Sequence, residues 1–194
     1  MNLNPYSILS NLIPGFLVYF VGLNLLGIDP KYYDPVIAIV IAYIVGYFVN
    51  AISAWSEKIL YWTWGGKPSD QLFQDKSCGR IQFLENKKLK PLLRKQIAES
   101  KSIKINELFA VALRIANCSS RVDEMSAQYV FARAIFVAVL VSLGLLSVNY
   151  HQNIAFWAVS VPILVASWYR AKERGFYYAK EVLTQSLNKL TRND

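Results

Sequence analysis

The sequence predicts an all-α polytopic membrane protein, with four transmembrane helices and a small helical module outside the bilayer. Three observations carry that prediction. Residues 1–28, 35–56 and 134–169 contain no Asp, Glu, Lys or Arg, and a hydrocarbon core of roughly 30 Å demands runs of about 20 apolar residues from a helix. The chain is 54% hydrophobic with a mean hydropathy of +0.26, above the roughly 45–50% apolar usage of soluble domains. The net charge of +8 gathers between and after the uncharged runs, as it does in loops on one side of a membrane.

Helix one is expected over about Ser7–Leu26, with Pro14 and Gly15 near its start. The turn that follows holds Asp29, Pro30, Lys31 and Asp34, with Tyr32 and Tyr33 suited to a membrane interface. Helix two starts at Pro35, a residue tolerated in a first helical turn. It crosses by Trp55 and continues to Trp64, where Gly65-Gly66 stops it. Helix three begins near Ser120 and crosses from Val130 to Val148, and the turn Asn149–Asn153 leads to helix four, Ile154–Tyr169, bent at Pro162. The first segment lacks a basic leader and a small-x-small cleavage pattern, so it reads as a retained helix rather than a signal peptide.

The hydrophilic middle reads as short helices. Ser69-Asp70 is placed to cap a helix through Phe73. Ile81–Ser100 carries Ile81, Leu84, Leu92, Leu93 and Ile97 as apolar positions, with Pro91 as a break or a helix start. Ile105–Ala116 is a clean amphipath with Leu108, Val111, Ala112 and Ile115 on one face. Arg170–Leu190 extends helix four, and Phe176, Leu183, Leu187 and Leu190 make a seam suited to a partner helix. The resulting organisation is a first hairpin over 1–56, a basic segment over 57–128, a second hairpin over 129–170 and a helical tail over 171–194.

Orientation follows from basic residues. Ser56–Gln128 contains thirteen and the tail from Arg170 six, whereas the turn after helix one has only Lys31 and the turn after helix three none. Positive-inside bias therefore puts both termini and the middle segment in the cytosol. In that compartment Cys78 and Cys118 are expected to be free thiols.

Tyr43, Gly46, Asn50, Ser53 and Glu57 recur every three to four residues on one face of helix two. Polar groups in hydrocarbon turn away from lipid. Such a stripe either lines an aqueous pore with Glu57 at its mouth, or packs against a neighbour through Gly46 and Ser53 while Asn50 hydrogen-bonds across. Helix one has its own small and polar face in Ser7, Asn11, Gly15, Tyr19 and Gly22. Arg133 on helix three falls at the depth of Glu57, where it can pair as a gate, contact anionic lipid or snorkel to the headgroups.

Nine basic residues, Lys76, Arg80, Lys87, Lys88, Lys90, Arg94, Lys95, Lys101 and Lys104, stand against Glu85 and Glu99 alone, an excess of seven. Such a patch suits phosphate groups, whether of a nucleotide, an oligonucleotide or the anionic inner leaflet. Phe83 is its only aromatic, which is thin for base stacking. Gly65-Gly66-Lys67-Pro68-Ser69 lacks the first glycine of a phosphate loop and follows no strand, so it reads as a helix stop and a new start. His151 is the single histidine, and no carboxylates or cysteines stand at metal-ligand spacing. Neither an enzyme nor a cofactor is expected.

The layout of two crossings, a basic helical segment, two crossings and a helical tail resembles small bacterial membrane proteins of antiphage defence operons. The likeness is to the membrane effectors of nucleotide-signalling systems such as Hailong and to the membrane subunit of Kiwa. It covers most of the chain as topology, together with Tyr43-Ile44-Val45-Gly46-Tyr47 and Gly66-Lys67-Pro68-Ser69, and transfers no site residue. The first resemblance implies membrane depolarisation under a cytosolic signal, and the second implies infection sensing through a partner protein. Two functions are therefore expected to compete. One is a homo-oligomeric channel or pore-forming effector under a cytosolic ligand; the other is a non-conducting sensor or scaffold that recruits a cytosolic protein.

Overall fold

The computed structural model describes residues 5–29, 34–96, 105–117 and 119–193. The expected turn residues Pro30, Lys31, Tyr32 and Tyr33, the stretch from Ile97 to Lys104, Cys118 and the side chain of Ser7 lie outside the described residues. The regular elements among those described are helices: α1 (Pro5–Leu25), α2 (Pro35–Trp55), α3 (Glu57–Thr63), α4 (Pro68–Phe73), α5 (Asn86–Lys95), α6 (Ile105–Ala116), α7 (Ser120–Tyr150) and α8 (Ile154–Asn193). Of these, α1, α2, α7 and α8 are long and apolar enough to cross a membrane.

Local chemistry sets the boundaries. Past α1, Gly27 takes φ +67°. The Ile28 amide then donates to Leu23 O (3.0 Å) and the Gly27 amide to Asn24 O (3.2 Å), a Schellman stop that needs left-handed backbone. Asp34 caps α2 by accepting from the Val36 amide at 2.8 Å, ahead of Pro35. Gly65 (φ +81°) repeats the stop after α3, with Gly66 N donating to Tyr61 O at 2.8 Å.

Four expectations change. The long second helix is interrupted at Ser56, where the Ser53 and Ser56 hydroxyls donate to Asn50 O and Ser53 O and compete with the helical ladder. The cap of α4 is Lys67, with Pro68 in the first turn, rather than Ser69-Asp70. Ile81–Glu85 is not helical: Cys78 and Ile81 exchange backbone hydrogen bonds, so α5 starts only at Asn86. Pro91 is neither a break nor a helix start: it sits inside α5 on its exposed side, where the carbonyl it leaves unpaired can be solvated.

The chain divides into two units, Met1–Lys58 with Ala127–Ala171 and Ile59–Ser126 with Lys172–Asp194. In unit 1, α1 and α2 pair as a hairpin. Val49, Val137 and Ala138 are buried there, with Val18, Val45, Phe136 and Val141 packed against them. Unit 2 has the larger core, in which Leu72, Phe73, Leu89, Leu93, Leu108, Phe176 and Leu183 are buried together. The stripe offered to a partner helix, Phe176, Leu183, Leu187 and Leu190, is thus occupied inside unit 2, with Leu190 only partly covered. Phe176 is fully buried, so Phe176→Ala is expected to cost about 3–5 kcal/mol, read as a lower unfolding midpoint of the detergent-solubilised protein.

Candidate functional site

Unit 1 gathers polar side chains at two sites, one on α2 and one at the start of α3. The first is a seam with α1. A Cβ at Gly15 would run into Ala42 O and the Gly46 backbone, and a Cβ at Gly46 would run into Asn11 O. The two backbones are therefore in direct contact, which only small residues permit. Beside this contact Asn50 Nδ2 donates to Asn11 Oδ1 at 3.0 Å. Ser53, fully buried, donates from Oγ to Asn50 O at 2.8 Å.

Ala42 rather than Tyr43 completes the seam: Ala42 is buried and Tyr43 exposed, because a tyrosine cannot enter where backbones touch. On α1 the seam uses Asn11 and Gly15. Gly22 faces open space, and the Tyr19 hydroxyl is buried with no hydrogen-bond partner among the described residues.

The second site joins the start of α3 to α7. Arg133 Nη1 lies 2.9 Å from Glu57 Oε1, with the side chains 8% and 33% exposed. The Tyr129 hydroxyl donates to the same Oε1 at 3.0 Å, and the guanidinium lies 5.3 Å from the Tyr129 ring centroid, within cation–π range. Arg133 Nε is buried without a hydrogen-bond partner among the described residues. Sequence reasoning brings Glu57 and Arg133 together by depth but misses Tyr129. The missed signal is local, since Tyr129 and Arg133 are four apart on one helix and share a face.

Unit 2 carries the basic residues. Asn86, Leu89 and Leu93 are buried, and Asn86 Nδ2 donates to Asp75 Oδ1 at 2.7 Å. This anchors one side of α5 and leaves Lys87, Lys88, Arg94 and Lys95 exposed, with Lys90 half-buried; Lys76 and Arg80 are exposed on the preceding loop. Cys78 is buried and free. Burial pushes its thiol above the ordinary range, against Lys172, which lowers it, and with Glu173, which adds to the rise.

No protein-family model, curated protein or solved structure matches the chain.

Proposed function

We propose that the protein is a switchable effector of the bacterial inner membrane, with both termini and unit 2 in the cytosol, that works as a homo-oligomer and lets ions cross when a cytosolic ligand engages unit 2. The observation that supports this reading is the pair Glu57–Arg133. Removing a guanidinium from water is expensive, and apolar packing of similar volume is often equal or better for stability. A buried pair with one donor left unmatched suits a contact that has to break, and switching is among the attested uses of buried polar groups. In this reading the described conformation is the closed one. Glu57 is held by Tyr129 and Arg133, Asn50 is bonded to Asn11 of α1, and Ser53 is buried against Asn50. Activation breaks the Glu57–Arg133 contact and opens the path that the pair closes.

A second reading, the non-conducting sensor or scaffold, is favoured by the seam itself. The small and polar positions of α2 are engaged by α1, and the side chains that α2 exposes, among them Val36, Val40, Tyr47 and Phe48, are apolar or aromatic. Ion flux through purified protein in liposomes separates the two readings. The effector reading predicts low flux from wild type, increased by Glu57→Gln and altered by Asn50→Leu while the oligomer stays intact. Absence of flux from an intact oligomer of all three, with cell lysate and nucleotides added, supports the scaffold. The defence role that the topology implies would appear as phage resistance lost with Glu57→Gln or Arg133→Gln.

A further inference from the structure

The basic surface of unit 2 has a second feature beside its charge. Lys76, Arg80, Lys87, Lys88, Arg94 and Lys95 are exposed, and among the described residues none of them forms an ion pair. The two acids nearest in sequence do little to neutralise them: Asp75 is engaged by Asn86, and Glu85 stands alone at the start of α5. In the turn leading into α5, Leu84 is 84% exposed, although Ile81 and Phe83 just before it are buried. Unit 2 also exposes Trp62, at 82%. A soluble polyanion calls for cations and stacking faces, and here Phe83, the aromatic within the patch, is buried. Cations around a protruding leucine match a headgroup layer, which offers phosphates at its surface and hydrocarbon just below.

We propose that α5 and the turn before it form a docking face for the anionic surface of a bilayer, with Lys87, Lys88, Arg94 and Lys95 on lipid phosphates and Leu84 inserted between headgroups. The proposal rests on the reading above that unit 2 faces the cytosol, where the leaflet is anionic. Asn86, Leu89 and Leu93 hold the opposite side of α5 in the core, so the face is preformed. Docking would hold the basic surface on the membrane until a competing cytosolic polyanion lifts it.

The test is lysine acylation of the full chain in nanodiscs, read residue by residue by mass spectrometry, with phosphatidylcholine alone or mixed with phosphatidylglycerol. Lys87, Lys88 and Lys95 are expected to react about fivefold more slowly in the anionic discs. That protection should disappear at high salt, while Lys189, which donates to Asn117 O, is unchanged. Lys87→Glu/Lys88→Glu/Arg94→Glu, which alters exposed positions only, should remove the protection of Lys95, and Leu84→Ser should weaken it. Equal reactivity in the two lipids overturns the proposal. So does protection that appears only when a dissolved oligonucleotide is added, which would assign the face to that partner. Because both faces of a nanodisc are open, these outcomes do not depend on orientation. Orientation fails separately, if an impermeant acylating reagent modifies Lys87 from outside intact spheroplasts.

Discussion

Gly46→Leu is expected to abolish the folded hairpin of unit 1. The Cβ that any other residue adds at position 46 falls on Asn11 O and its carbonyl carbon, and the one added at position 15 falls on Ala42 O. These obstacles are backbone atoms, so no rotamer change relieves them and the helices have to separate. Separation also lengthens the Asn50–Asn11 hydrogen bond beyond its 3.0 Å. Gly46→Ala and Gly15→Ala should each cost about 1–3 kcal/mol, the range for overpacking, and leucine considerably more. Gly22 provides the control, because nothing lies within 4 Å of its added Cβ. Gly22→Ala should be neutral or gain up to about 1 kcal/mol from helix propensity. Monodisperse yield and unfolding midpoint in detergent read all four variants, and a Gly46→Leu protein as stable as wild type would remove the seam from the account.

The next largest effect is expected at Arg133. Glu57→Ala leaves a guanidinium 8% exposed without its counter-charge, a loss of about 3–5 kcal/mol in buried pairs. The 33% exposure of Glu57 places this case at the lower end. Arg133→Leu should cost less, because the carboxylate it abandons reaches solvent and keeps the Tyr129 hydroxyl. Glu57→Leu/Arg133→Leu should recover most of the loss, since an apolar pair of this volume suits its surroundings. A double-mutant cycle with coupling of about 2 kcal/mol or more is therefore predicted. Additive losses would mean that the pair does not interact in solution. Tyr129→Phe isolates the phenol, with an expected loss of about 1.5–3 kcal/mol for a hydrogen bond to a charged group.

Helix placement was legible because the signals are local. Uncharged runs mark α1, α2, α7 and α8, Pro35 marks one start, and Gly65-Gly66 marks one stop. Register across elements was less so. The pairing of Asn50 with Asn11 and the choice of Ala42 over Tyr43 depend on how two antiparallel helices slide, which helical periodicity leaves open. Ile81 and Leu84 read as part of an amphipathic helix with Leu92, Leu93 and Ile97 because they are apolar. In the structure Ile81 and Phe83 enter the core from a loop closed by the Cys78–Ile81 hydrogen bonds, and Leu84 is exposed. The stripe at Phe176, Leu183 and Leu187 was visible as an apolar seam. That it closes the core of its own chain depends on long-range packing against α4, α5 and α6, which no window of sequence contains.

The proposal that unit 1 is closed in the described conformation is tested most directly by locking it. Asn11→Cys/Asn50→Cys, added to Glu57→Gln and crosslinked in liposomes, ties α1 to α2 at their hydrogen-bonded position. The account predicts that Glu57→Gln conducts, that crosslinking silences it, and that reduction restores the flux. Flux that persists undiminished through a fully crosslinked seam would contradict it.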